Sequence, residues 1–323
     1  MDVRTVALFR VGLALLVLFD LIFRSRYIRA HYTSFGMKAP GQLDHKFAEW
    51  GLSWIPHTID SFPFQVGFFL VFGLVALCLL FGLHTRLASV ATWLLLLALH
   101  TQNTNIMQGG DLFLRMLLFW GMFLPLGACF SIDSALNSSP KKIPDRIVSA
   151  GTLGLLLQVC FVYWFTAAFK TSAIWWEEGT AIYYALNIDQ FATPLGHFLL
   201  GFPELLRVLS FATIWWEVVG PILVFIPVFT GPIRAATVFL FIGFHLGLGF
   251  SLELGPFPYI CSVAWTAFLP SWFWDKIFHW LRTPARLGLK IYYDGDCGFC
   301  KKTVLLIRTR LGGPIGPIPR RPT

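Results

Sequence analysis

The sequence predicts an all-α membrane protein, a bundle of seven or eight helices that cross the bilayer. Hydrophobic residues make up 56% of the 323 positions and charged residues only 13%, a balance too apolar for an ordinary soluble domain. The apolar residues fall in runs, most of them close to the ~20 residues that a helix needs to cross the hydrocarbon core. We assign as spans the runs 5–23, 62–83, 87–100, 112–130, 147–169, 209–229, 233–250 and 257–274.

The number of spans depends on three runs, namely the first run and the two that fit a membrane-crossing helix least well. The run 5–23 ends at Arg24 without a small-residue cleavage site, so we predict a span and not a cleaved signal. The run 87–100 is short, and Pro258 and Pro270 interrupt the last run. Either of these two could be tilted, re-entrant or buried within the bundle, which leaves seven or eight spans.

The formal net charge of +8 raises the question of nucleic-acid binding. However, the basic residues lie between the apolar runs and in the C-terminal tail, where they typically control topology. We therefore exclude a nucleic-acid partner and predict that both termini are cytoplasmic. With eight spans, one side of the membrane carries the basic tail and Arg4, Arg86, Lys141, Lys142, Arg146 and Arg234.

The ionisable residues inside the spans share a depth when the helices are followed alternately through the bilayer. Charges within spans are costly and tend to face the bundle interior or a water-filled cavity, so the shared depth predicts a site near the outer face. The alternative is that single members snorkel to the interface from helix ends. The residues concerned are Asp20, His100, Asp111, Arg115, Lys170, Glu217, His245 and Glu253.

Two of these residues are candidates for chemistry. Lys170 ends the aromatic-rich run 161–169, where desolvation can keep an amine partly neutral and able to act as a base. The alternative for Lys170 is an interfacial anchor. His245 lies in the glycine-rich stretch 243–249, which permits close approach of a helix or ligand. Its imidazole can relay a proton, or it can simply bond to a neighbouring helix.

Glu217 and Asp111 each have two possible roles, and Asn105 has one. Glu217 either pairs with Arg115 or is neutral. Asn105 and Asp111 belong to a polar loop that can line the mouth of the cavity, and Asp111 also suits a helix cap. HExxH, P-loop, GxSxG and paired metal-ligand patterns are absent from the sequence, so we expect no metal.

Five short motifs recur in one known family. They are Lys170-Thr-x-x-x-Trp175, Glu178-Gly179-Thr-Ala-x-Tyr183-Tyr184, Gly109-Gly110-Asp111-x-x-x-Arg115, the segment from Phe119-Trp120 to Leu124-Pro125, and Phe244-His245. Taken together, they resemble the horizontally transferred transmembrane domain (HTTM) family, which includes the vitamin K-dependent γ-carboxylases. The resemblance extends to about Arg282, and it departs at Thr171, where the animal enzymes have a second lysine.

The resemblance implies a carboxylase-like membrane enzyme of the carbon–carbon lyase and quinone epoxidase type. It would use a reduced, vitamin K-like quinone with O2 and CO2, and a glutamate in a protein or peptide would be the carboxyl acceptor. Lys170 matches the base of the carboxylases and His245 matches an active-site histidine. The candidates for quinone binding are Asn105, Asp111, Arg115, Trp175 and Glu217.

The apolar spans predict that membrane lipids surround the protein. We expect a multi-pass protein of the inner, or cytoplasmic, membrane of a bacterium.

The C-terminal segment reads as strand, loop and helix and contains the pair Cys297-Gly-Phe-Cys300. It resembles the opening of a thioredoxin-like module of the DCC thiol-disulfide oxidoreductase family, in which a CxxC at a helix start has reactive thiols. The segment is too short to complete a sheet, so we predict a truncated domain without independent activity, the alternative being a disordered tail. This divides the chain into a carboxylase-like HTTM domain at 1–286 and an incomplete DCC segment at 287–323.

Two other functions stay open. The chain could be a membrane thiol-disulfide redox component whose bundle serves the CxxC pair, or a non-catalytic bundle that binds or transports lipid. Reduced-quinone-dependent O2 consumption marks the carboxylase-like enzyme, and dithiol exchange through Cys297 and Cys300 marks the redox component. A non-catalytic bundle would show neither activity.

Overall fold

The computed structural model describes residues 1–36, 61–137 and 144–281, and all regular secondary structure in these ranges is helical. The predicted CxxC segment lies outside the described residues. In chain order the α-helices are α1 (Val3–Ser25), α2 (Ile28–Tyr32), α3 (Phe62–Phe81), α4 (Thr85–Gln102), α5 (Gly109–Gly121), α6 (Ile132–Leu136), α7 (Ala150–Phe169), α8 (Ala173–Trp176), α9 (Ala181–Leu186), α10 (Pro194–Leu199), α11 (Pro203–Leu223), α12 (Thr230–Ser251), α13 (Phe257–Thr266) and α14 (Ser271–Leu281).

Five of the described helices are long and apolar enough to cross a membrane, namely α1, α3, α7, α11 and α12. The other predicted spans form shorter or more polar helices. The run 87–100 lies in α4, which has 18 residues, and the run 112–130 yields only the 13 residues of α5. The last run divides into α13 and α14, because the chain turns between Thr266 and Ser271 at Pro270.

Helix α1 is the most enclosed of the five spans. Within its apolar window 56% of the residues are buried, against 28–33% in the other four. It packs on α3, α13 and α5, and α13 in turn contacts α5 and α12. Trp265 of α13 is fully buried and stacks on Phe241 of α12 with ring centroids 3.7 Å apart. The core therefore lies around α1 and α13, and the outer faces of α3, α7, α11 and α12 are left apolar for lipid.

The turn between α3 and α4 is fixed by a glycine and by a distant carboxylate. Gly82 ends α3 with a φ of 68°, a left-handed conformation, and an added Cβ there would lie 2.6 Å from the Arg10 guanidinium. The carboxylate of Asp133, on α6, accepts the backbone N–H groups of His84 and Thr85 at 2.9 and 2.7 Å. It thereby satisfies the first donors of α4 from outside that helix.

Replacing Asp133 with Ala is expected to destabilise the protein by about 1–2 kcal/mol, because α4 loses its N-terminal acceptor. Burial raises the pKa of Asp133, but hydrogen bonds from Thr85 and His84 outweigh it and hold that pKa below its usual range. The stabilisation is therefore present above about pH 4 and is lost as the pH falls through the lowered pKa. Melting temperatures of the wild type and the variant, measured against pH, check this.

The matched control is Asp275→Ala. Asp275 accepts a hydrogen bond from Arg4, but its side chain is 67% exposed, so this ion pair contributes little to stability. Equal melting temperatures for the wild type and Asp133→Ala at neutral pH would contradict the capping role of Asp133.

Candidate functional site

Lys170 lies where α7 stops. Its backbone leaves the helical conformation, with φ −80° and ψ 69°, and its carbonyl accepts the indole N–H of Trp176 at 2.5 Å. The one-turn helix α8 follows at once. Gly179 then turns the chain with a φ of 70°, at a place where a Cβ would lie 2.6 Å from the ring of Phe211 on α11. The aromatic end of α7 and the following loop are thus folded onto α11.

This loop places Lys170 against Glu217. The Nζ atom of Lys170 lies 2.6 and 2.5 Å from the two carboxylate oxygens of Glu217, which is on α11. The same Nζ lies 4.3 Å from the centroid of the Trp175 ring, a cation–π contact. The side chains of Lys170 and Glu217 are 17% and 7% exposed, so the pair is largely shielded from solvent. Glu217 therefore pairs with Lys170. It does not pair with Arg115, which is one of the two alternatives that the sequence offers.

His245 forms a second polar pair. Its Nε2 atom and the Tyr163 hydroxyl are 2.7 Å apart, and both side chains are buried. The imidazole meets the rings of Phe244 and Phe257 at centroid distances of 5.0 and 6.0 Å, and its Nδ1 atom has no hydrogen-bond partner. The imidazole of His245 is therefore packed among aromatic rings and hydrogen-bonds to Tyr163.

The two pairs lie along one face of α7. Tyr163 and Lys170 are seven residues apart, which is about two helical turns and a rise of ~10 Å. Ala167 lies between them on the same face and is buried. The indole of Trp164 donates to the carbonyl of Val218, the residue after Glu217, at 3.1 Å. Helices α7, α11 and α12 thus align a base candidate and an imidazole along one interface.

Of the three glycines around His245, Gly249 alone lies at a close contact between helices. A Cβ on Gly249 would lie 3.0 Å from Pro258, so this glycine does allow α13 to approach α12 closely. Gly243 and Gly247 have open space where a Cβ would stand, so no described helix packs closely on them, and of the two predicted uses the approach of a ligand stays open. Gly243 instead borders a groove.

The groove runs between α11 and α12 and has a volume of about 410 Å³. Its walls include Leu209, Ala212, Leu240 and Phe244, and Trp216 lies at its inner side. Trp216 precedes Glu217 in the chain and packs on Phe241, with centroids 4.8 Å apart. Two residues that line the groove, Trp216 and Phe244, are the chain neighbours of Glu217 and His245.

A third polar group lies at the ends of α1, α4 and α5. Arg24 donates from Nε to both carboxylate oxygens of Asp20 at 2.8 Å and from an Nη to Asp111 at 2.8 Å. The Tyr32 hydroxyl lies 3.2 Å from the same guanidinium, and His100 lies beside both aspartates. All five side chains are buried.

The remaining candidates are distributed around this third group. Asp111 also accepts the N–H of Gln108, so it caps α5 as the local pattern predicts. Arg115 is buried one turn further along α5, within electrostatic reach of Asp111, and its Nε has no hydrogen-bond partner. Asn105 is exposed, and the side chain of Glu253 is exposed as well. Within the described residues, no hydrogen bond or ion pair joins these groups to Lys170 or Glu217.

Sequence reasoning did not select the partners that complete the polar groups. The end of the first apolar run at residue 23 places Arg24 in the following loop. However, Arg24 follows Asp20 by four residues, and a helix brings such positions together. That spacing could have revealed it. Tyr163 gave no signal among the many aromatic residues of its run. Arg10, buried in α1, donates to the carbonyls of Leu126 and Phe130 and so holds the loop after α5.

Comparison with known proteins gives one match. A family model described as the HTTM domain matches residues 1–272. The match includes all three polar groups and the groove and ends in the first residues of α14. No curated protein and no solved structure matches the chain.

Proposed function

The chain belongs to the HTTM family, and from this premise we propose that it is a carboxylase-like membrane enzyme that oxidises a reduced quinone with O2. Lys170 is the proposed base. The observation that carries the proposal is the shielded pair between Lys170 and Glu217 at the end of an aromatic helix. The groove supports it, because its wall includes Trp216, the residue before Glu217.

The geometry supports proton transfer at Lys170. An amine must be neutral to accept a proton, and Glu217 can take the proton of the ammonium across 2.5–2.6 Å. In a site shielded from water, the neutral amine and acid compete with the ion pair, because burying two charges is costly. The Lys170 amine would then accept the phenolic proton of the quinol, and Trp175 would hold the aromatic ring system nearby.

The groove suits an apolar substrate from the bilayer. Its volume is in the range of small-molecule sites, and its lining is predominantly apolar. Overall, quinol and O2 would give quinone epoxide and water. In the carboxylase-like case this reaction would be coupled to addition of CO2 to the γ-carbon of a glutamate in a protein or peptide. Asp111 belongs to the third polar group and Arg115 lies within electrostatic reach of it, so neither is part of this proposed site. Asn105 is exposed and is not part of it either.

The finer architecture belongs to the same proposal. We propose that α4, α5 and the α13–α14 pair complete seven or eight membrane crossings, that 287–323 begins a thioredoxin-like fold, and that the protein resides in a bacterial inner membrane.

The test is made with full-length protein in lipid nanodiscs supplied with a reduced naphthoquinone. Quinol-dependent O2 consumption with epoxide detected by mass spectrometry supports the proposal. Thiol exchange that depends on Cys297 and Cys300, without epoxide, would instead indicate a redox component. Neither activity, together with co-purified lipid, would indicate a non-catalytic lipid-binding bundle.

His245→Ala is expected to lower epoxide formation by about a hundredfold, near the lower end of hydrogen-bonding and acid–base contributions. The reason is that His245 bonds to Tyr163 and makes no hydrogen bond to Lys170, so it orients groups and does not replace the base. Tyr163→Phe should give part of the same loss. Steady-state kcat and KM check both variants, with the exposed Tyr184→Phe as the control. Wild-type rates in both would contradict a role for this pair.

A further inference from the structure

Three residues that commonly bind metals converge on the ends of α1, α4 and α5. They are Asp20, His100 and Asp111, and one ligand atom from each lies within 4.8 Å of the others. Metal-binding motifs are short segments of sequence, and this group has none because its members come from three different helices. It lies apart from Lys170 and does not depend on the proposed quinone chemistry.

His100 is the unusual member. Its side chain is fully shielded from solvent, and among the residues that the structure describes neither ring nitrogen has a hydrogen-bond partner. Its Nε2 atom is 4.0 Å from Oδ2 of Asp20 and 3.8 Å from Oδ1 of Asp111, too far for hydrogen bonds. A buried imidazole that makes no hydrogen bond is costly. A ligand between the three residues would satisfy the nitrogen that faces both carboxylates.

The two carboxylates are held in place and retain free lone pairs. Arg24 donates to both aspartates, and the N–H of Gln108 binds the other oxygen of Asp111. Each carboxylate oxygen can accept two interactions, so Oδ2 of Asp20 and Oδ1 of Asp111 each keep one site that is not used. Supporting contacts of this kind are what orient the ligands of metal sites.

We propose that Asp20, His100 and Asp111 bind one divalent transition-metal ion, with Zn²⁺ the best chemical fit. Imidazole with carboxylates suits Zn²⁺, which binds nitrogen and oxygen at about 2.0–2.2 Å. In a tetrahedral site two ligands at that distance from the ion are about 3.4 Å apart. The separations of 4.0 and 3.8 Å between His100 Nε2 and the two carboxylates would therefore have to shorten by roughly half an ångström.

The charge around the ion is moderated by the surrounding residues. Two carboxylates face the ion, and Arg24 is in direct contact with both of them, while Arg115 acts on Asp111 from one turn away. Three protein ligands leave a coordination position for water, the pattern of open and not of closed zinc sites. The ion would also tie α1 to α4 and α5.

The test measures Zn²⁺ on the full-length chain in detergent, in a Cys297→Ser/Cys300→Ser background that removes the thiols of the tail. After treatment with a chelator and dialysis against Zn²⁺, mass spectrometry should find about one ion per chain, and Zn²⁺ should raise the melting temperature. His100→Ala should lower the affinity by at least the 10–100-fold that is typical of losing even a supporting residue.

The matched control is His245→Ala, which removes another buried histidine but one already bonded to Tyr163. It should keep the bound ion. Binding to His100→Ala as tight as to the parent protein, or no bound ion in the parent, overturns the proposal. If His100→Ala does not fold, X-ray absorption of the zinc-loaded parent decides. A shell of nitrogen and oxygen with one imidazole supports the site, and any other shell overturns it.

Discussion

Lys170→Arg is expected to abolish quinone epoxide formation while the helical bundle stays folded. Guanidinium keeps the positive charge, can pair with Glu217 through two parallel hydrogen bonds and can stack on Trp175. It cannot give up its proton at any usable pH, so it cannot serve as a base. Loss of a general base commonly costs 10²- to 10⁴-fold in rate, and here that loss should leave no measurable epoxide. Epoxide formation and thermal stability are measured on the same preparation.

Lys276→Arg is the matched control for this experiment. The Lys276 Nζ atom lies 4.8 Å from the centroid of the Trp272 ring, so it shares the cation–π contact of Lys170 but has no buried carboxylate partner. It should keep full activity. A stable Lys170→Arg protein that forms epoxide at a rate comparable with the wild type would falsify the base assignment and, with it, the functional part of the carboxylase resemblance.

Arg24→Met is expected to cause the largest loss of stability, about 3–5 kcal/mol, the usual cost of removing one partner from a buried ion pair. Arg24 is the direct counterion of two buried carboxylates, those of Asp20 and Asp111. Methionine keeps the apolar length of the side chain and leaves both carboxylates without that partner. The melting temperature in detergent, measured with a chelator present, should fall sharply or the protein should not be obtained as a monodisperse species.

Arg26→Met separates this effect from a general effect of charge. Arg26 caps the same helix two residues later and is exposed, so its replacement should change stability by no more than about 0.5 kcal/mol. Replacing Asp20 and Asp111 by Asn in the Arg24→Met background should recover part of the loss, because neither carboxylate is then buried as a charge without its arginine partner. Equal stability of Arg24→Met and Arg26→Met would show that the buried network is not a main source of stability.

Several features of the fold could be predicted from the sequence for clear physical reasons. Apolar runs of helical length fixed the membrane class and placed five of the spans, because a backbone in lipid must satisfy its hydrogen bonds within each helix. Asp20, His100 and Asp111 share a depth along the predicted spans, and the structure brings these three residues together. The shared depth does not indicate that Lys170 and His245 each have a different partner.

The short elements were less predictable. Run length suggested crossings at 112–130 and 257–274, where the structure has a helix of 13 residues and two helices of 10 and 11 residues. Proline and glycine residues end these helices because of their backbone geometry. Hydropathy depends on side chains and does not detect such ends.

The amino-acid sequence is enough to identify a helical membrane protein and to place Lys170 at the end of an aromatic span. The pairing of distant residues depends on the tertiary structure, in which Lys170 meets Glu217, 47 residues away, Tyr163 meets His245, 82 residues away, and Arg24 meets Asp111, 87 residues away. Helical periodicity fixes which side chains share one face of one helix. In lipid nearly every face is apolar, so the pattern does not say which faces meet, and close packing of the particular side chains makes that choice.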